Sequence, residues 1–155
     1  MPDRRTHARH SYTLARLLGL SIDPTIIPMI DRIIDNPQAL PRGLISKLAG
    51  CSDQRVRTMA ETVLAGLRYS QALRHDWGLN RARRGRSPEI LKSVVKCLYG
   101  EDAVVLVDLH SSLDMIHSRG MSQEEYLEWA TANKIDARVV DYILSRVFAR
   151  APQPG

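Results

Sequence analysis

Residues able to do chemistry cluster in four places. Gln54, Arg55, Arg57 and Thr58 supply an amide, two guanidiniums and a hydroxyl, and Glu61 follows one turn later. On a helix these five share one side. At the start of a helix lying in a major groove, such side chains meet base edges and phosphates. Residues 80–88, NRARRGRSP, hold Arg81, Arg83, Arg84 and Arg86 with no acid. An extended Arg-Gly-Arg segment fits a narrow A·T minor groove, and as a plain basic loop it still neutralises phosphate. His110-Ser111-Ser112, between Asp108 and Asp114, has the composition of a nucleophile and its base. Neighbours on a helix point in different directions, so this run does not converge as a catalytic pair needs to. His7 and His10, and also His110 and His117, are spaced for one helix face, but the sequence shows no further ligand near either pair. The expectation is therefore no catalytic residue, no metal, no cofactor and no enzyme.

The elements that position the first cluster lie in residues 44–67, LISKLAGCSDQRVRTMAETVLAGL. Ile45, Leu48 and Ala49 give one apolar stripe. Val56, Met59, Ala60, Val63, Leu64 and Leu67 give a second at helical spacing. Between them, Gly50 can take the positive φ that ends a helix. Cys51 can tuck between the helices, and Ser52 or Asp53 can cap the second. This is the pattern of a helix-turn-helix. Ser46 departs from it, standing where alanine suits a close approach of the two helices. A plain antiparallel helical hairpin remains the competing reading.

The rest of the chain also reads as helix. Residues 1–10 look like a flexible basic arm. Ser11 can cap a short helix with Leu14, Leu17 and Leu18 inward, closed by Gly19. Ile26, Ile27, Ile30, Ile33 and Ile34 form a stripe, with Thr25 as cap and Pro28 inside the first turn. Pro41 suits the first turn of the next helix. Ser87-Pro88 opens a helix with Ile90, Leu91, Val94, Val95 and Leu98 inward, closed by Gly100. The run 103–107 could be a strand, but Val105, Leu109, Leu113 and Ile116 extend it as a helix to about Ser118, stopped by Arg119-Gly120. Ser122-Gln123-Glu124-Glu125 is a capping box. Asp136 stands near the start of a last helix carrying Val139, Val140, Ile143, Leu144 and Val147. Residues 151–155 form a tail.

Composition and charge agree with this reading. One Phe and two Trp leave the core to aliphatic residues. Cys51 and Cys97 lack CxxC spacing, which argues against a disulfide framework or zinc knuckle and fits a reducing cytosol. There is no run of about 18 apolar residues and no secretory signal pattern, so a cytoplasmic protein with no membrane contact is expected. Residues 42–99 hold twelve Lys/Arg against four Asp/Glu, whereas residues 100–145 hold three against nine. The basic half coincides with the helix-turn-helix, as polyanion binding requires. The acidic half, with Glu124, Glu125, Glu128, Asp136 and Asp141, suits a protein partner or the basic half of a second copy.

A helix-turn-helix, a basic GRSP loop leading into a helix, and His110-Ser111-Ser112-Leu113 follow one another over about residues 40–117. In this order the chain resembles the FlhC family, DNA-binding partners in the flagellar master regulator, and its relatives on mobile elements. The resemblance implies a transcriptional activator working in a hetero-oligomer. The cysteine zinc cluster of that family has no counterpart here.

The sequence thus predicts an all-α fold of about seven helices around one aliphatic core, in a single domain over 11–150. It predicts a bacterial-type transcription regulator that binds double-stranded DNA through Gln54, Arg55, Arg57 and Thr58, with Arg81, Arg83, Arg84 and Arg86 on phosphates or in the minor groove. Homo- or hetero-oligomers would form through the C-terminal helices. The alternative is a helical adaptor whose acidic C-terminal half binds a partner protein.

Overall fold

The computed structural model describes residues 4–35, 41–64 and 89–149. These form an all-α fold with eight α-helices among the described residues: α1 (Arg4–Leu17), α2 (Ile27–Asp35), α3 (Arg42–Leu48), α4 (Gln54–Leu64), α5 (Glu89–Tyr99), α6 (Glu101–Arg119), α7 (Gln123–Ala132) and α8 (Ala137–Ile143). A 3-10 turn, Pro24–Ile26, leads into α2, and a π-helical turn, Leu144–Phe148, continues α8.

The core is built around α6. Every residue from Val105 to Leu113 is buried. Helices α1, α2, α5, α7 and α8 all pack on it. A helix enclosed on all sides is normally apolar throughout. This one is not, since Asp108, His110, Ser111 and Ser112 lie inside with Leu106, Leu109 and Leu113. Gly100 joins α5 to α6 at φ 91°, and Gly120 ends α6 in the left-handed conformation at φ 59°. Both backbone states suit glycine because it has no Cβ.

Local sequence signals hold at several ends. Ser122 accepts from the Glu125 backbone N–H at 3.2 Å, and Glu125 Oε1 accepts from the Ser122 N–H at 3.1 Å, so the capping box is complete. Asp136 caps α8 by accepting from the Arg138 N–H at 2.9 Å. Asp53, rather than Ser52, caps α4, accepting from the N–H groups of Arg55 at 2.9 Å and Val56 at 3.3 Å.

Three expectations need correction. Helix α1 begins at Arg4, so residues 4–10 are helical rather than part of a flexible arm. Its inward row is His7, Ser11, Leu14 and Leu18, the first two buried and polar. Hydropathy therefore gives no stripe before Leu14. His10 Nδ1 lies 2.7 Å from the Tyr142 hydroxyl, which ties α1 to α8. Ahead of α2 the capping side chain is Asp23, which accepts from the Thr25 N–H at 2.9 Å; Pro28 does sit in the first turn. Finally, Gly50 has no positive φ. Its N–H donates to the Lys47 carbonyl at 3.2 Å, and the Cys51 N–H donates to Leu48 at 3.0 Å. The turn between α3 and α4 closes without a positive-φ residue.

This correction has a measurable outcome. A Cβ at Gly50 would meet only the Lys47 carbonyl oxygen, at 3.6 Å. Gly50→Ala should therefore hold or raise stability, by up to about 1 kcal/mol, because alanine narrows the unfolded ensemble. Gly120→Ala should cost roughly 1–2 kcal/mol, because alanine resists the left-handed region. Urea unfolding midpoints of the two variants separate these cases.

Candidate functional site

The α3–α4 pair is anchored on its inner side. Val56 and Ala60 of α4 are fully buried, as are Ile45 and Leu48 of α3, and the two helices pack together. Lys47 Nζ donates to the Leu98 carbonyl of α5 at 3.0 Å. Burial pushes the Asp53 carboxyl up, but hydrogen bonds from Val56, Ser93 and Arg55 outweigh it and hold the group below its usual range. The cap of α4 is thus a carboxylate, which suits the positive end of a helix dipole.

The expectation of two separate thiols is overturned. Cys51 and Cys97 form a disulfide, with Cα atoms 5.8 Å apart. Their 46-residue separation hides the pairing in the sequence. It arises because the turn before α4 packs against α5.

The outer side of α4 presents Gln54, Arg55, Thr58 and Glu61, all exposed. The Arg55 side chain is 63% exposed, and its Nε lies 3.9 Å from Asp53 Oδ1. Arg57 differs. It is half-buried, and its Nη1 donates to the Cys51 carbonyl at 3.1 Å. Its guanidinium therefore braces the turn instead of joining the outward row. On α3, Arg42, Ser46 and Lys47 are exposed. Ser46 thus does not sit at a close helix approach. Arg81, Arg83, Arg84 and Arg86 lie outside the described residues, as do Leu67 and the rest of the basic loop.

The acidic half is divided in the same way. Glu124, Glu128 and Asp141 are exposed. Glu125 is committed to the capping box, and its bond from the Ser122 N–H keeps the carboxyl below its usual range. Asp136 carries Arg138, with Oδ2 2.9 Å from Nη2. That bond, ahead of opposing burial, lowers the Asp136 carboxyl.

Three of the buried polar groups of α6, Asp108, His110 and Ser112, are met by other elements. Lys92 Nζ of α5 stands 2.8 Å from Asp108 Oδ1. Asp108 Oδ2 accepts from the Asp136 N–H at 3.0 Å. The Tyr126 hydroxyl donates to Ser112 Oγ at 2.9 Å. Burial pushes the Tyr126 phenol up to about 12; the Ser112 bond opposes this and the Asp108 charge adds to it. It therefore remains a proton donor at neutral pH. His110 Nε2 lies 3.2 Å from Asp114 Oδ2, and His7 Nε2 lies 3.5 Å from Asp114 Oδ1. The His7 and His110 rings meet edge to face, with centroids 4.5 Å apart.

His110 and Ser112 thus face different partners, Asp114 with His7 for the first and Tyr126 for the second, and no hydrogen bond between a serine of this run and His110 is found among the described residues. The His7–His110–Asp114 grouping was missed by sequence reasoning. The i,i+4 spacing of His110 and Asp114 was legible, but His7 arrives from the other end of the chain. Lys92 carried no signal beyond its charge. No described helix is long and apolar enough to cross a membrane. Comparison with family models, with curated proteins and with solved structures finds no match for this chain.

Proposed function

We propose that α3 and α4 form a helix-turn-helix that binds double-stranded DNA, in a transcription regulator of the bacterial, FlhC-like type. The observation that carries this reading is the division of α4. Val56 and Ala60 are fully buried, while Gln54, Arg55 and Thr58 stand exposed on the opposite side at the N-terminal end. A helix held so firmly from behind can present those side chains to base edges in a fixed frame. Arg42 on α3 is a further exposed cation of the helix pair. Arg81, Arg83, Arg84 and Arg86 would supply phosphate or minor-groove contacts. This function places the protein in the cytoplasm, where the Cys51–Cys97 disulfide would be open to reduction. The exposed acids Glu124, Glu128 and Asp141 leave a surface for a second copy or a partner subunit on the C-terminal helices. If α4 proves inert towards DNA, that acidic surface favours the adaptor reading.

The test separates Arg55 from the other arginines. A duplex selected from a random pool and an unselected duplex are titrated over a salt series by fluorescence anisotropy. Arg55→Ala should weaken the selected site by about 1–3 kcal/mol, roughly 5- to 150-fold, and affect unselected DNA much less. Arg57→Ala should lower stability by about 1 kcal/mol through loss of its bond to Cys51, with a smaller change in discrimination. Replacing Arg83, Arg84 and Arg86 together should weaken both duplexes and reduce the salt slope by up to about three. Wild-type binding by Arg55→Ala and the loop variant alike would reject the DNA reading.

A further inference from the structure

Two imidazoles from distant parts of the chain converge on one carboxylate inside this fold. His7 on α1 and His110 on α6 have side chains 7% and 0% exposed, and Asp114 is 41% exposed. Their ligand atoms all lie within 4.8 Å of one another. We propose that His7, His110 and Asp114 form a binding site for one divalent transition cation of the zinc type.

The distances suit a shared ion. A zinc ion about 2.0–2.1 Å from each donor sets neighbouring donors of a tetrahedron roughly 3.3 Å apart. His110 Nε2 lies 3.2 Å from Asp114 Oδ2 and His7 Nε2 lies 3.5 Å from Asp114 Oδ1, so each imidazole faces its own oxygen of one carboxylate. The second is wider than the ordinary span of a direct N–H···O bond. A single ion would draw one donor atom of each residue, already within 4.8 Å of one another, to the tetrahedral spacing.

The donor chemistry narrows the ion. Two neutral imidazoles and a carboxylate suit zinc and its neighbours in the first transition row. Calcium and magnesium prefer oxygen ligands in larger number. The burial pattern supplies a route and a vacancy in the coordination shell. The histidines close the inner side, while the exposed edge of Asp114 opens to solvent. An ion would enter there and keep a water as its fourth ligand.

The helices give the site its rigidity. His110 and Asp114 are one turn apart on α6, so their spacing is set by the helix itself. His7 sits on the inward row of α1 with Ser11 and Leu14. The ion would clip α1 to the central helix, joining positions 7 and 110. Because the unfolded chain holds no such arrangement, binding would favour the folded state. The site stands on observations separate from those behind DNA binding.

The test uses untagged full-length protein, stripped with chelator and kept oxidised so that Cys51 and Cys97 remain joined. Zinc is titrated by calorimetry and its effect on thermal unfolding is followed. Cobalt is added as a spectroscopic stand-in. One zinc ion per chain, a melting midpoint that rises with zinc and visible cobalt absorption of a four-coordinate site are expected. Asp114→Asn should weaken zinc at least about tenfold while leaving the far-ultraviolet circular dichroism intact, since this carboxylate is the exposed ligand. His7→Gln should act in the same direction. Glu124→Gln, away from the site, should bind as wild type does. The proposal is overturned by absence of stoichiometric zinc on the wild type, by unchanged affinity in Asp114→Asn, or by equal binding of calcium. If His7→Gln does not fold, Asp114→Asn and the cobalt spectrum still decide the matter.

Discussion

Lys92→Met is expected to destabilise the protein by about 3–5 kcal/mol, the range found when one partner of a buried ion pair is removed. The Lys92 ammonium lies 2.8 Å from Asp108, and the two side chains are 20% and 6% exposed. Methionine has similar length and keeps the packing of the aliphatic stem, so the loss is electrostatic. The Asp108 carboxylate would remain inside without that cation. It also receives the N–H of Asp136, the residue that caps α8. The pair therefore couples α5, α6 and the start of α8. A second substitution sharpens the expectation. Asp108→Asn removes the charge and keeps a side-chain oxygen able to accept from Asp136. Lys92→Met combined with Asp108→Asn should recover most of the loss. Asp108→Leu in the same background should recover less, because the Asp136 N–H would lose its acceptor at a cost of about 1–3 kcal/mol. Urea unfolding at constant m-value reads all three. A Lys92→Met variant within about 1 kcal/mol of wild type would show that the pair contributes little.

The pair also shows where sequence reasoning stops. Short-range signals were legible. Ser122 and Glu125 announced α7, Gly120 announced the end of α6, and the burial of Val56 and Ala60 on α4 agrees with its apolar stripe. Each of these depends on residues within one or two turns. The apolar run 103–107 reads as helix for the same reason, because Val105, Leu109, Leu113 and Ile116 keep helical spacing. What the sequence concealed depends on contacts between distant elements. The inward side of α1 is partly polar, so hydropathy began that helix seven residues late. His7 acquires meaning only where α1 crosses α6. Asp108, His110, Ser111 and Ser112 look like a solvated helix surface, yet α6 packs against five neighbouring helices, and Lys92, His7 and Tyr126 reach Asp108, His110 and Ser112 from three of them. Of the proposed reading residues, Gln54, Arg55 and Thr58 were placed outward from periodicity alone. Arg57 was not separable from them, because its bond to the Cys51 carbonyl follows from the shape of the turn. Gly50 misled in a similar way. Its residue type permits a left-handed turn, and the chain closes the turn without one.

Reduction of the disulfide is the other change with a large expected effect. Cys51 and Cys97 lie 46 residues apart, and the link joins the turn before α4 to α5. In the chain-entropy account, closing a loop of that length removes unfolded conformations worth up to about 4 kcal/mol. For a chain of this size that corresponds to a fall in melting midpoint of roughly 8–16 °C. The double variant Cys51→Ala, Cys97→Ala should show a similar fall, and its midpoint should no longer respond to reductant. The native arrangement should survive in both cases. Val56, Ala60, Ile45 and Leu48 remain buried between α3, α4 and the core, and Lys47 still donates to Leu98. The cost therefore falls on the balance with the unfolded chain, and the circular dichroism at low temperature should not change. The measurement is a pair of thermal melts, with and without reductant, preceded by thiol titration of the denatured protein. Zero thiols before reduction and two after it are expected. Two thiols before reduction, together with a midpoint indifferent to reductant, would mean that the helix pair is held to α5 by packing and the Lys47 bond alone.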